Sequence, residues 1–228
     1  MKTNLLTLVL LLTAASLFAQ EKGVSPLSVE ASAKAGTTYA IVVGISDYQD
    51  ELITDLKYAD RDAEAFANYL RSPAGGSLDA DHLKVLINEQ ATMGQFAMDL
   101  TWLMEVAKAG DKVIIYFSGH GDVENKSVFE PGFLLCWDAP PKVYFSGGSI
   151  SLANLKLIIS SISVGNKADV LVITDACRSG KLSGSGIDGP HATAVNLAQQ
   201  FANETKILSC QPDEFSIEGE QWGGGRGA

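Results

Sequence analysis

The stretch Lys112-Val113-Ile114-Ile115-Tyr116-Phe117-Ser118-Gly119-His120-Gly121-Asp122 is a continuous apolar, β-branched run that stops at a serine and then presents a histidine between two glycines. A second stretch repeats the design and ends on a cysteine: Ala168-Asp169-Val170-Leu171-Val172-Ile173-Thr174-Asp175-Ala176-Cys177-Arg178-Ser179-Gly180. Runs of this kind read as strands buried on both faces of a parallel sheet. In an open α/β sheet, chemistry collects in the crevice outside the carboxyl ends of the strands. One strand end delivers an imidazole that can move protons, and the other delivers a sulfur that can act as a nucleophile.

Outward from these two strands, the pattern alternates strand and helix. Strands are predicted over 38–45, 83–87, 113–117, 133–137, 170–174 and 206–208. Helices are predicted over 60–71, 92–108, 152–162 and 192–202. The first helix carries Ala63, Phe66, Ala67 and Leu70 on one face, and the second carries Phe96, Leu100, Leu103 and Ala107, with Gly110 as its stop. The third shows Leu152, Leu155, Ile159 and Ile162. Alternation of this kind predicts an α/β fold with a doubly wound, mostly parallel six-stranded sheet flanked by helices. No internal repeat is visible.

The chain has 228 residues and a formal charge of −10. That length suits one α/β domain with a substantial core. No basic stretch is long enough to grip phosphates, which argues against a nucleic-acid partner and against anionic membrane surfaces. Lys2, the run Leu5-Leu6-Thr7-Leu8-Val9-Leu10-Leu11-Leu12 and the small-residue end at Ala19-Gln20 have the order of a secretory signal peptide. The apolar run is too short to span a bilayer comfortably. The expected organisation is a signal peptide at 1–20, a linker at 21–37 and a single domain from 38 to 228. A secreted or periplasmic location follows, with no stable membrane association once the signal is removed.

The three cysteines are Cys136, Cys177 and Cys210. Three do not make a disulfide framework, and an odd count leaves at least one free thiol. Cys136 and Cys210 sit in apolar strand-like runs, where cysteine acts as a small buried apolar residue. Cys177 lies at a strand-to-loop junction between Asp175 and Arg178, which argues against a dry environment and for a reactive thiol. Of the other histidines, His82 and His191 share no motif with Cys177 and read as surface residues. After Cys177 comes the loosest stretch, Gly180-Lys181-Leu182-Ser183-Gly184-Ser185-Gly186-Ile187-Asp188-Gly189, whose Gly and Ser content makes it flexible and exposed. It is either an ordinary connection or a loop that is rearranged or cut for activity.

Ser118-Gly119-His120-Gly121 and Asp175-Ala176-Cys177-Arg178-Ser179-Gly180 resemble the two catalytic motifs of the caspase–metacaspase peptidases, closest to the metacaspase and bacterial caspase-like branch. Tyr39-Ala40-Ile41-Val42-Val43-Gly44-Ile45 resembles that family's first strand. Leu56-Lys57-Tyr58-Ala59-Asp60-Arg61-Asp62-Ala63 resembles the opening of its first helix. The likeness runs from about Tyr39 to Ala228, and two motifs in the right order with these flanks are more specific than either alone.

The resemblance implies a cysteine endopeptidase in which Cys177 attacks the scissile carbonyl and His120 protonates the leaving amine and positions water for deacylation. It implies an oxyanion hole built from the N–H groups of Gly121 and Cys177. The acid two residues before the cysteine, Asp175, is the metacaspase-like choice and implies cleavage after Arg or Lys, since an acidic pocket floor pairs with a cationic side chain. Asp62 matches the second acid of that pocket better than Asp60. The alternative for both is a helix N-terminal acid favoured by the dipole. The partners implied are polypeptides with basic residues. Lys181, and after it Arg178, become candidates for self-cleavage.

No cofactor is expected. Calcium is the one metal the resemblance raises, and Asp138 is the one matching position, which alone does not make a site. Residues 221–228 end on glycines where family domains continue with an apolar helix, so the chain is expected to be a truncated form. The competing function is a catalytically inactive caspase-fold interaction or signalling module. A serine hydrolase ranks low, because no Gly-x-Ser-x-Gly elbow occurs.

Overall fold

The computed structural model describes residues 36–124, 131–176, 205–208, 218–219 and 226–227. Cys177, Arg178, Lys181, His191, Cys210, the helix expected over 192–202, the signal segment and the linker up to residue 35 lie outside the described residues.

Five parallel strands form the main sheet: β1 (Thr38–Gly44), β2 (Leu83–Ile87), β3 (Lys112–Ser118), β7 (Asp169–Asp175) and β8 (Thr205–Leu208), in the spatial order β2-β1-β3-β7-β8. The β3–β7 pair runs in register from Lys112 opposite Asp169 to Ser118 opposite Asp175. The β1–β3 pair ends with Gly44 opposite Ser118.

Among the described residues, three α-helices cover the sheet: α1 (Ala59–Arg71), α2 (Met93–Val106) and α3 (Leu152–Ser160). Alternate strand residues face opposite sides, and the two resulting cores are distinct. On one side, Ala40, Val42, Ile114 and Tyr116 pack with Ala63, Ala67 and Leu70 of α1. On the other, Ile41, Val43, Val113, Ile115, Phe117 and Val172 pack with Phe96, Leu100 and Leu103 of α2 and with Leu155 and Ile159 of α3. Each fully buried Leu, Ile or Phe contributes about 1.5–3 kcal/mol from apolar burial. Helices on both faces of a parallel sheet are what the alternating pattern predicts.

Thr92 caps α2 by accepting the Gln95 N–H at 3.2 Å, and Ser151 caps α3 by accepting the Asn154 N–H at 3.2 Å. The backbone turns at Gly110, with φ +86, ahead of β3. Helix α3 continues into a π-helical turn over Ser161–Gly165, which keeps Ile162 buried.

The sequence counts 133–137 among the six strands of the main sheet, and the structure corrects this. That segment forms β5 (Gly132–Leu135), the centre of a separate antiparallel sheet between β4 (Gly121–Val123) and β6 (Ser149–Ser151). Phe133, Leu134 and Leu135 are all buried. An apolar run buried on both faces reads the same in either sheet. Its three-residue partners are too short to show a period of their own. Glu218–Gly219 (β9) pairs antiparallel with Arg226–Gly227 (β10).

Candidate active site

The two motifs are joined through their backbones. Beyond the last register pair, the Gly119 N–H donates to the Asp175 carbonyl at 3.2 Å, and the Gly121 N–H donates to the Ala176 carbonyl at 3.1 Å. Cys177 follows Ala176 directly in the chain. The His120 carbonyl accepts the Leu135 N–H at 2.9 Å, which ties the motif to the small sheet.

His120 is 2 % exposed. Its Nε2 lies 2.6 Å from the Thr54 carbonyl oxygen. A carbonyl can only accept, so Nε2 carries the hydrogen, and Nδ1 is the basic nitrogen of the neutral ring. The His120 N–H donates to Tyr48 Oη at 2.7 Å. The Tyr48 and His120 rings lie 5.1 Å apart at an interplanar angle of 33°. Tyr48 and Thr54 were not legible as site residues. Thr54 acts through its main chain, which leaves no side-chain signal, and Tyr48 stands in a loop with no motif around it.

Gly121 is the first residue of β4, and its N–H is engaged by Ala176. Asp175 closes β7, half-buried, opposite Ser118. Ser118 continues the row of Ile114 and Tyr116, and Asp175 continues the row of Leu171 and Ile173, so both end on the α1 side of the sheet. The Ser118 hydroxyl is fully buried without a hydrogen-bond partner among the described residues.

Asp62 is half-buried in the first turn of α1. That turn rests on Gly44, where an added Cβ would lie 2.3 Å from Ala63 Cβ and 2.7 Å from the Ala59 carbonyl. Because Gly44 is the partner of Ser118, the start of α1 reaches the same edge of the sheet as Asp175. The first turn of α1, which carries Asp62, thus starts at the edge where Ser118 and Asp175 end. Asp60 is occupied otherwise: its Oδ1 accepts the Ser46 hydroxyl at 2.8 Å, and its N–H donates back to Ser46 Oγ at 3.0 Å.

Asp138 Oδ1 accepts the Met93 N–H at 2.8 Å, at the start of α2. No group of three or more His, Cys, Asp or Glu side chains gathers to hold a metal among the described residues. The described residues around Asp138, whose Oδ1 is taken by the Met93 N–H, therefore do not fit a calcium site. Cys136 is fully buried and free. Burial, and secondarily the Asp138 charge, push its thiol far above the ordinary range, so it stays protonated and inert. His82 is half-buried, 2.6 Å from Asp79, and stacks on Tyr39 at the opposite end of β2 from the carboxyl edge.

Behind the His motif, Tyr144 braces β4. Its hydroxyl donates to Asp122, and its N–H donates to Glu124 Oε2 at 3.2 Å. Burial, then the Asp122 contact, raise the Tyr144 phenol well above its usual range.

A parallel sheet between helices, with a histidine motif and a cysteine motif leaving adjacent strand ends, defines the architecture of a caspase-like cysteine peptidase. The model of the caspase domain family matches residues 37–225, and the chain belongs to that family. Its fold is similar to the crystal structure of a protein from Geobacter sulfurreducens, with TM-score 0.57 and 16 % identity over 80 % of this chain and 76 % of that one. A structure of pro-sf-caspase-1 matches with TM-score 0.43 and 12 % identity, over 66 % of this chain and 55 % of that one. No curated protein matches the chain.

Proposed function

We propose that this caspase-family domain is a secreted cysteine endopeptidase of the metacaspase-like kind, using Cys177 and His120 to cut peptide bonds after Arg or Lys. The observation that carries the reading is the register of β3 with β7, which sets Ser118 opposite Asp175 and leaves each motif two residues from its reactive side chain. The Cys177 thiolate adds to the scissile carbonyl. His120, protonated in this step, gives its proton to the leaving amine as the C–N bond breaks and the acyl-enzyme remains. Water then adds to the acyl carbon, loses its proton to His120 and expels the thiolate. The N–H groups of Gly121 and Cys177 are the proposed oxyanion donors. The Gly121 N–H would have to exchange its Ala176 carbonyl for the oxyanion.

Asp175 and Asp62 are the proposed partners of the substrate's cationic side chain, with the buried Ser118 hydroxyl beside Asp175 as a further acceptor. The substrates are polypeptides exposing Arg or Lys. Residues 1–20 are the proposed signal peptide, giving a secreted or periplasmic location. Among the described residues, no helix is long and apolar enough to cross a membrane.

The alternative is an inactive caspase-fold interaction module, favoured by the Gly121 N–H being already paired with Ala176. A thiol-reactive peptidyl probe with Arg at its reactive end separates the two. The enzyme reading expects labelling of the wild type that is lost in Cys177→Ala and strongly slowed in His120→Ala. Equal labelling of wild type and His120→Ala supports the module.

A further inference from the structure

The loop between β1 and α1 grips His120 at two points. Tyr48 Oη accepts the His120 N–H at 2.7 Å, and the Thr54 carbonyl accepts the imidazole Nε2–H at 2.6 Å. The loop is itself anchored. The Tyr48 N–H donates to Asp55 Oδ1 at 3.1 Å, the Gln49 N–H to the Trp137 carbonyl at 3.0 Å, and the Leu56 N–H to the Ser46 carbonyl at 2.8 Å. Tyr48 is 5 % exposed, and its ring lies against the imidazole. Burial, outweighing the His120 hydrogen bond that opposes it, raises its phenol well above the ordinary value, so the hydroxyl is a neutral acceptor at working pH.

Gly119 gives an independent sign of this contact. A Cβ there would lie 3.0 Å from Tyr48 Oη and 3.1 Å from the Phe117 ring. The glycine ahead of His120 is therefore what lets the phenol approach the His120 amide. A histidine between two glycines at a strand end has a backbone with wide freedom. The Tyr48 contact removes that freedom on the main-chain side, and Thr54 removes it on the ring side.

We propose that Tyr48 is a positioning residue for His120: its hydroxyl holds the His120 amide and its ring backs the imidazole, which keeps Nε2–H on the Thr54 carbonyl and leaves Nδ1 as the working nitrogen. The proposal rests on the dyad reading above. Tyr48 is buried and reaches the site through His120, so its loss is expected in the chemical step rather than in binding. A misplacement of about 1 Å at a catalytic group can cost up to about 100-fold.

The test is Tyr48→Phe in the full chain. It is read by steady-state cleavage of an Arg fluorogenic peptide and by long-range ¹H–¹⁵N spectra of the imidazoles. The chain has only three histidines, and His120→Ala assigns the His120 signals. The expected result is a kcat about tenfold lower with KM within about twofold, together with a His120 spectrum that moves from the Nε2-protonated tautomer toward a mixture. An unchanged kcat with unmoved His120 signals overturns the proposal, and so does a loss confined to KM. Should Tyr48→Phe fail to fold, Gly119→Ala keeps the tyrosine and displaces its oxygen; the same two changes are expected, and wild-type values there overturn it. A wild type that cleaves no peptide removes the dyad reading. In that case the spectra alone decide, with a shift in Tyr48→Phe supporting the positioning role and no shift overturning it.

Discussion

Ser118 and Asp175 are cross-strand partners at the carboxyl ends of β3 and β7. His120 lies two residues beyond the first and Cys177 two beyond the second. The backbone bonds Gly119 N–H to Asp175 O and Gly121 N–H to Ala176 O continue the pairing past the strands. The pairing of two central strands therefore sets how close Gly119–Gly121 comes to Asp175–Ala176. Central parallel strands are held by both neighbours and by a core on each face, so the placement inherits the rigidity of the sheet.

The same pair bears on specificity. Asp175→Ala should lower kcat/KM for Arg and Lys peptides by at least about tenfold, since a hydrogen bond to a charged group is worth about 1.5–3 kcal/mol. Asp62→Asn should act in the same direction and more weakly. Thermal midpoints measured beside the kinetics separate this from a folding defect. Equal losses on basic and neutral peptides would remove Asp175 from the pocket.

Self-cleavage is expected in the segment after Cys177. Lys181 is the first candidate, because it matches the proposed specificity and stands among Gly and Ser residues, and Arg178 is the second. Mass spectrometry of purified protein should find a new terminus at Leu182 that is absent from Cys177→Ala. An intact segment in protein that is turning over peptide would refute the idea.

Gly44 is required by contact rather than by a turn. A methyl there would meet Ala63 Cβ at 2.3 Å and the Ala59 carbonyl at 2.7 Å. Gly44→Ala should destabilise the fold by about 1–3 kcal/mol, the usual range for overpacking. It should also push the start of α1, and with it Asp62, away from the sheet edge. Urea unfolding gives the first effect and the KM for Arg peptides the second; wild-type stability would show that α1 can back off freely.

Asp99 on α2 is buried, with Gln95 Nε2–H donating to its Oδ1 at 3.0 Å. Burial raises its carboxyl pKa, with the Gln95 hydrogen bond and then the Lys84 charge opposing. A carboxyl with a raised folded-state pKa holds its proton better folded than unfolded. Its contribution is most favourable below the unfolded value and is lost as pH rises through the folded one. Asp99→Asn should therefore melt higher than wild type at neutral pH, with the gap closing toward about pH 4. A gap that widens on acidification would contradict the assignment.

The strands and helices of the main layer were legible because each is long enough to show its period. Helix α3 buries Leu155 and Ile159 as their spacing requires, and β3 and β7 are continuous apolar runs. The small sheet was not legible. Its middle strand looks like any buried strand, and β4 and β6 are three residues each. In the site, His120 announced itself by its two glycines and its strand. The groups that hold it did not, since Thr54 contributes a carbonyl that any residue could supply, and Tyr48 is brought to His120 across 72 positions of sequence. The engagement of the Gly121 N–H by Ala176 depends on strand register, which no single motif carries.

The most direct measurement is cleavage of short fluorogenic peptides that differ only in the residue before the scissile bond, with Cys177→Ala as the control. Turnover fastest after Arg or Lys, slow after neutral residues and absent in Cys177→Ala is the predicted result. Faster cleavage after Asp than after Arg would contradict the pocket assignment, and turnover that survives in Cys177→Ala would contradict the cysteine-nucleophile account itself.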